Sequence, residues 1–124
     1  MVSFSAHTIG GSQRGHALGF PTVNMNVEEV PREVEEGIYA GWVRCDENSE
    51  RYPSAIHYGP RLFHQAGMSF EIHVIDCVLH SPPTTVTVEL IERIRPVQNF
   101  PDEAALAAQI AQDVARARAI LTGA

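Results

Sequence analysis

The chain has no lysine. All nine basic side chains among its 124 residues are arginine, set against fifteen carboxylates, for a formal net charge of −6. A Walker A loop needs Gly-Lys-Ser/Thr, so a P-loop kinase is excluded. The negative balance argues against a nucleic-acid binder that works by neutralising phosphates. Any phosphate site must rely on backbone N–H groups, a metal and arginine. Cysteine is scarce: Cys45 and Cys77 are the only two, without metal spacing. They read as buried small residues in a reducing compartment rather than a disulfide framework. His7, His16, His57, His64 and His80 are scattered with no H-x-x-x-H spacing, so no zinc site is expected. No segment reaches the roughly 18 apolar residues of a transmembrane helix, and Met1–Ser5 lacks a basic leader. The expectation is a soluble, cytoplasmic protein with no membrane and no nucleic-acid partner.

At this length residues 1–124 make one domain, with a single core feasible. The first hundred residues are short β-like runs split by Gly, Pro and Asn. Strands are predicted at Ser3–Gly10, Thr22–Val27, Gly37–Cys45, Arg51–His57, Phe70–Asp76 and Thr84–Arg95. The polar stretch Asp46–Glu50 predicts a hairpin between the third and fourth. In the last strand Val86, Val88 and Leu90 fall on one face, and Thr85, Thr87 and Glu89 on the other. The period then changes. Pro101-Asp102-Glu103 opens a helix with an acidic first turn, and Leu106, Ile110, Val114, Ala117 and Leu121 form one apolar stripe. Six strands followed by one helix predict a mainly β fold: a small, closed or nearly closed barrel with the helix packed outside. A barrel of this size with one outer helix is expected to be a monomer.

The stretch Gly10-Gly11-Ser12-Gln13-Arg14-Gly15-His16-Ala17-Leu18-Gly19-Phe20-Pro21-Thr22-Val23-Asn24 stands apart from the rest. Four glycines in ten residues let the backbone turn tightly and approach a ligand. Thr22 and Asn24, two apart on an extended segment, point to one side. That face offers a hydroxyl and an amide oxygen to a hydrated metal or a phosphate, as a Mg-nucleotide requires. The same residues also fit a plain glycine-rich turn leading into a strand.

The string Leu18-Gly19-Phe20-Pro21-Thr22-Val23-Asn24, with Arg14-Gly15 upstream, closely resembles the Leu-Gly-Phe-Pro-Thr-Ala-Asn signature of riboflavin kinases, a family that includes the kinase half of the bacterial bifunctional flavokinase/FAD synthetase. Three further motifs follow in the family's order. Pro31 and Gly37-Ile38-Tyr39-Ala40 match its Pro…Gly-Val-Tyr segment, and Phe70-Glu71-Ile72-His73-Val74-Ile75-Asp76 matches its Val-Glu-x-His-Ile-x-Asp strand. Arg95, Phe100, Gln109-Ile110, Asp113 and Ala117-Arg118 match the closing element and helix. The resemblance implies a six-stranded antiparallel Greek-key barrel with a C-terminal helix. It implies ATP-dependent phosphorylation of riboflavin to FMN with Mg²⁺, and no FAD synthesis, since the adenylyltransferase domain that often precedes this module is absent from the sequence.

The resemblance also implies roles for single residues. Glu71 matches the catalytic glutamate, the base that takes the proton of the ribityl 5′-hydroxyl; by pattern alone it is equally a solvent-facing glutamate on an amphipathic strand. Thr22 and Asn24 are implied to serve the metal and the phosphates, with backbone amides at Gly11, Gly15 and Gly19 against the nucleotide. His73, two residues after Glu71 on the same face, is a candidate to bond Glu71 or a phosphate, or a structural histidine. Arg118 is a candidate substrate contact near the flavin, or a helix-end cation. Trp42, Tyr39 and Tyr58 can stack on a flavin ring, or fill the core as aromatic strand residues do.

Three positions depart from the family pattern. His16 stands where Arg or Lys usually follows the second loop glycine, His57–Phe63 replaces an Asn-x-Gly-x-x-Pro-Thr-Phe loop, and Ser81-Pro82-Pro83 replaces Leu-Tyr-Gly. Two other readings therefore stay open: a catalytically weak relative that binds flavin or nucleotide, and a kinase for another small alcohol.

Overall fold

Alternation of large apolar with polar side chains builds a closed, all-antiparallel barrel from six strands, in the order β1-β2-β5-β4-β3-β6. The computed structural model describes residues 2–9, 22–47, 50–61, 66–75 and 83–123. The strands are β1 (Val2–Ile9), β2 (Thr22–Met25), β3 (Gly37–Cys45), β4 (Tyr52–Pro60), β5 (Met68–Val74) and β6 (Thr85–Arg95), followed by helix α1 (Glu103–Thr122). Strands β3, β4 and β5 form a meander and β6 returns beside β3, which is the Greek-key arrangement. Pairing of β1 with both β2 and β6 closes the sheet and leaves it no edge.

The barrel interior takes every second residue of each strand. Val23, Met25, Val43, Ile56, Phe70, Ile72, Val74, Val86, Val88 and Leu90 meet there. The rings of Phe4 and Tyr58 pack against Phe70, at centroid distances of 5.7 and 5.6 Å. Tyr39 is buried in the same cluster, and its hydroxyl donates to the carbonyl of Glu35 at 2.6 Å. Tyr39 and Tyr58 are thus core residues. Trp42 lies half-buried and carries the Arg51 guanidinium 4.1 Å above its ring.

Helix α1 lies on the outside. Asp102 caps it by accepting from the Ala105 N–H at 2.8 Å, and Gly123 ends it in the left-handed conformation (φ 76°). Leu106, Ile110, Val114 and Ala117 pack over Ala40 and Ala55, which face each other across β3 and β4. Two alanines at this crossing let the helix approach the sheet closely. Burying Leu106 and Ile110 contributes about 2 kcal/mol each.

The expected strands are all present, the third with its expected bounds Gly37–Cys45 and the others with shifted ends. The second stops at Met25 instead of Val27, because the Asn26 side chain accepts from the Glu28 N–H and starts a 3-10 turn over Val27–Glu29. The fourth runs three residues past His57 to Pro60, paired to β5 throughout. Asp46, the first residue of the predicted hairpin turn, takes φ 52°, and its carboxylate accepts from the N–H groups of Thr84 and Thr85, which ties the end of β3 to the start of β6. Cys45 is half-buried at the end of β3, and Cys77 lies outside the described residues.

Candidate functional site

Antiparallel register brings the predicted residues onto one surface. Thr22 of β2 faces His73 of β5, and Asn24 faces Glu71. Directly opposed residues share a sheet face, and this face is the outer one, since Val23, Met25, Phe70 and Ile72 occupy the interior. Two pairs that the sequence separates by about fifty positions thus form one patch. On the other side of β5, His57 is registered with Glu71, and Ala55 with His73.

The patch continues into a pocket beneath α1. Ile38, Ala55, His57, Glu71 and His73 line it from the barrel. Arg95, Gln98 and Phe100 line it from the segment that enters the helix, and Leu106, Ile110 and Asp113 from the helix itself. Apolar and polar groups thus come from both sides, with Glu71, His57 and His73 from the barrel and Arg95, Gln98 and Asp113 from the segment and helix.

The helix is fastened over this pocket by a charged clamp. Arg95 reaches Asp113 with two parallel hydrogen bonds, Nε to Oδ1 at 3.0 Å and Nη2 to Oδ2 at 2.7 Å. Gln109 Nε2 adds a third at 3.1 Å, and Arg95 Nη1 donates to the Pro96 carbonyl at 3.0 Å. The Asp113 side chain is 7% exposed and that of Arg95 16%, so water screens the pair weakly. The Arg95 guanidinium also lies over the Phe100 ring, at 5.8 Å.

His73 is 8% exposed. Its imidazole Nδ1 lies 3.3 Å from Thr22 Oγ1. Burial pushes its pKa from 6.5 down to about 4; His57 adds to the fall, and Asp113 opposes it. The ring is therefore neutral at pH 7 and offers one donor and one acceptor. His57 is 8% exposed as well, with Nδ1 3.4 Å from Ser69 Oγ. Glu71 is half-buried and lines the pocket.

The donor set suits a hard cation carried by phosphates. A hydroxyl, an amide oxygen and a carboxylate are oxygen ligands of the kind Mg²⁺ takes, and Mg²⁺ normally keeps waters and substrate phosphates besides. Among the described residues no three His, Cys, Asp or Glu side chains group to hold a metal by themselves. Gly11, Gly15, Gly19 and His16, with the loop residues Leu62, Phe63, Ser81 and Pro82, lie outside the described residues. Arg118 is half-buried on α1, five positions beyond Asp113, and is not among the described residues that line the pocket. Sequence reasoning gave His57 no role. Its only signal was the loop it belongs to, and strand register alone puts it opposite Glu71. No helix among the described residues is long and apolar enough to cross a membrane.

Comparison with known proteins adds independent findings. The family model of flavokinases, described as riboflavin kinase, matches residues 1–121. A riboflavin kinase of Eremothecium gossypii is 40% identical over 53 residues, a stretch covering 40% of this chain and 28% of that protein. Among solved structures, a macrolide-efflux protein from Streptococcus pneumoniae aligns with a TM-score of 0.76 at 23% identity, over 94% of this chain and 38% of its own. A riboflavin kinase from Trypanosoma brucei aligns with a TM-score of 0.64 at 22% identity, over 96% and 78%. At these identities the structural matches speak to the barrel fold. The chain spans well under half the length of the first two of these relatives.

Proposed function

The chain belongs to the riboflavin kinase family, and from that premise we propose that it transfers the terminal phosphate of ATP to riboflavin, giving FMN and ADP. The observation that carries the proposal is the convergence of Thr22, Asn24, Glu71 and His73 on one outer face that opens into the pocket beneath α1. Phe100, Leu106 and Ile110 give that pocket apolar groups for a flavin ring to pack against, and Glu71 gives it a carboxylate.

In the reaction the ribityl 5′-oxygen attacks the γ-phosphorus. Its bond to the β–γ bridging oxygen breaks, ADP departs with that electron pair, and the hydroxyl proton passes to the Glu71 carboxylate. Proton removal by a positioned base contributes about 10²–10⁴-fold. Thr22 and Asn24 would hold the nucleotide's Mg²⁺, which neutralises phosphate charge when bound. The glycine stretch around Gly11, Gly15 and Gly19 would supply amides to the phosphates. We read the enzyme as a cytoplasmic monomer.

One observation favours a second reading. His57 borders the pocket where the family's loop carries asparagine, so a protein that binds flavin or nucleotide without transfer, or a kinase for another alcohol, also fits. Incubation with riboflavin, ATP and Mg²⁺, followed by chromatography, separates these. Stoichiometric FMN and ADP support the proposal. Flavin binding without FMN, or ADP formed only with another alcohol, overturns it.

A further inference from the structure

The interaction between His73 and Thr22 has no place in the proton transfer just described. His73 lies between Thr22 of β2 and Ala55 of β4 in register, almost wholly buried, with Nδ1 3.3 Å from Thr22 Oγ1. The charged or titratable groups around it are Glu71 on its own strand, His57 on β4, and Asp113 on α1, whose carboxylate is taken up by Arg95 of β6. A threonine hydroxyl has one hydrogen and two lone pairs. It can meet a cation only through a lone pair, and only if its hydrogen is turned elsewhere. A neutral imidazole with its proton on Nε2 presents Nδ1 as an acceptor for that hydrogen. With the proton on Nδ1 the bond reverses, a lone pair of Oγ1 is occupied, and the hydroxyl hydrogen swings away from the ring.

We propose that His73 is a positioning residue for nucleotide binding: its Nδ1 accepts the Thr22 hydroxyl hydrogen and turns the Oγ1 lone pairs away from the ring, toward the metal-bearing nucleotide. This rests on the reading of Thr22 as a ligand of the Mg-nucleotide. Outer partners that orient a metal ligand are typically worth about 10–100-fold in affinity.

The first test needs no variant. Two-bond ¹⁵N–¹H spectra of the full chain at pH 7 give the tautomer of His73. A pyridine-like Nδ1 with the proton on Nε2 is expected, and a protonated Nδ1 overturns the proposal. Calorimetric titration with Mg-ATP, in the absence of riboflavin, then measures the linkage. His73→Leu is expected to weaken binding about 10-fold or more, and His73→Asn, which returns an acceptor near the Nδ1 position, to recover most of it. Combining His73→Leu with Thr22→Ala should be no weaker than Thr22→Ala alone, since both remove one interaction. If Thr22→Ala weakens binding and His73→Leu does not, the positioning role fails while the reading of Thr22 stands. If neither weakens binding, the reading of Thr22 itself is wrong. His73→Asn remains informative should the leucine variant fold poorly.

Discussion

Removing the carboxylate of Asp113 tests what holds α1 over the pocket. Asp113→Ala deletes three charge-assisted hydrogen bonds, two from Arg95 and one from Gln109, and leaves the guanidinium in a site where its side chain is only 16% exposed. Breaking one side of a buried pair typically costs about 3–5 kcal/mol. Arg95 keeps its bond to the Pro96 carbonyl and its position over Phe100, which places the expected cost at the lower end, about 3 kcal/mol. An unfolding entropy of ~2.1 cal/mol/K per residue makes 1 kcal/mol worth about 4 °C in a chain of 124 residues. Asp113→Ala should therefore lower Tm by about 12 °C, measured by calorimetry or by circular dichroism with a urea titration alongside. Replacing both partners with apolar residues, as in Arg95→Met with Asp113→Leu, should recover most of the loss, because no uncompensated charge stays buried. A single variant that loses less than about 1 kcal/mol would refute the reasoning, and the helix would then be held by its apolar stripe alone.

Two further outcomes follow from the same geometry. The folded-state pKa of His73, about 4, lies below its unfolded value of 6.5, so the unfolded chain binds more protons between those values. Stability should be fully present above pH 6.5 and fall by about 3 kcal/mol as pH drops from 6.5 to 4; urea midpoints across that range, with His73→Asn as comparison, check the sign and the size. Gly41→Ala should destabilise the barrel by about 1–3 kcal/mol, because the added Cβ would sit 2.7 Å from the Glu89 carbonyl oxygen and 2.9 Å from Ile56 Cδ1; an unchanged thermal midpoint would show that β3 and β6 can separate at no cost.

Much of this molecule is readable from residue order, where a local rule decides the outcome. Alternation in Val86, Val88 and Leu90 gave the inward face of β6, and the 3.6-residue stripe from Leu106 to Ala117 gave the helix and its buried side. Spacing alone put Thr22 with Asn24, and Glu71 with His73. What spacing could not supply is register. Thr22 opposes His73, and Asn24 opposes Glu71, only because β2 pairs with β5 at that offset, although β3 and β4 intervene in the chain. His57 joins the patch for the same reason. Asp113 was legible as a match to the family's helix motif, while hydrophobic periodicity gave it no role. A carboxylate on the apolar side of a helix breaks the hydrophobic period, and its role becomes intelligible only when Arg95, eighteen positions earlier, is seen to reach it.

The central claim is that this outer face performs phosphoryl transfer with Glu71 as its base, and Glu71→Gln tests it most directly. The amide keeps the shape of the side chain and removes its basicity. The account predicts a folded variant with the wild-type thermal midpoint, FMN produced by the wild type, and a kcat for the variant lower by about 10²–10⁴-fold. A Glu71→Gln protein that forms FMN at the wild-type rate would contradict it.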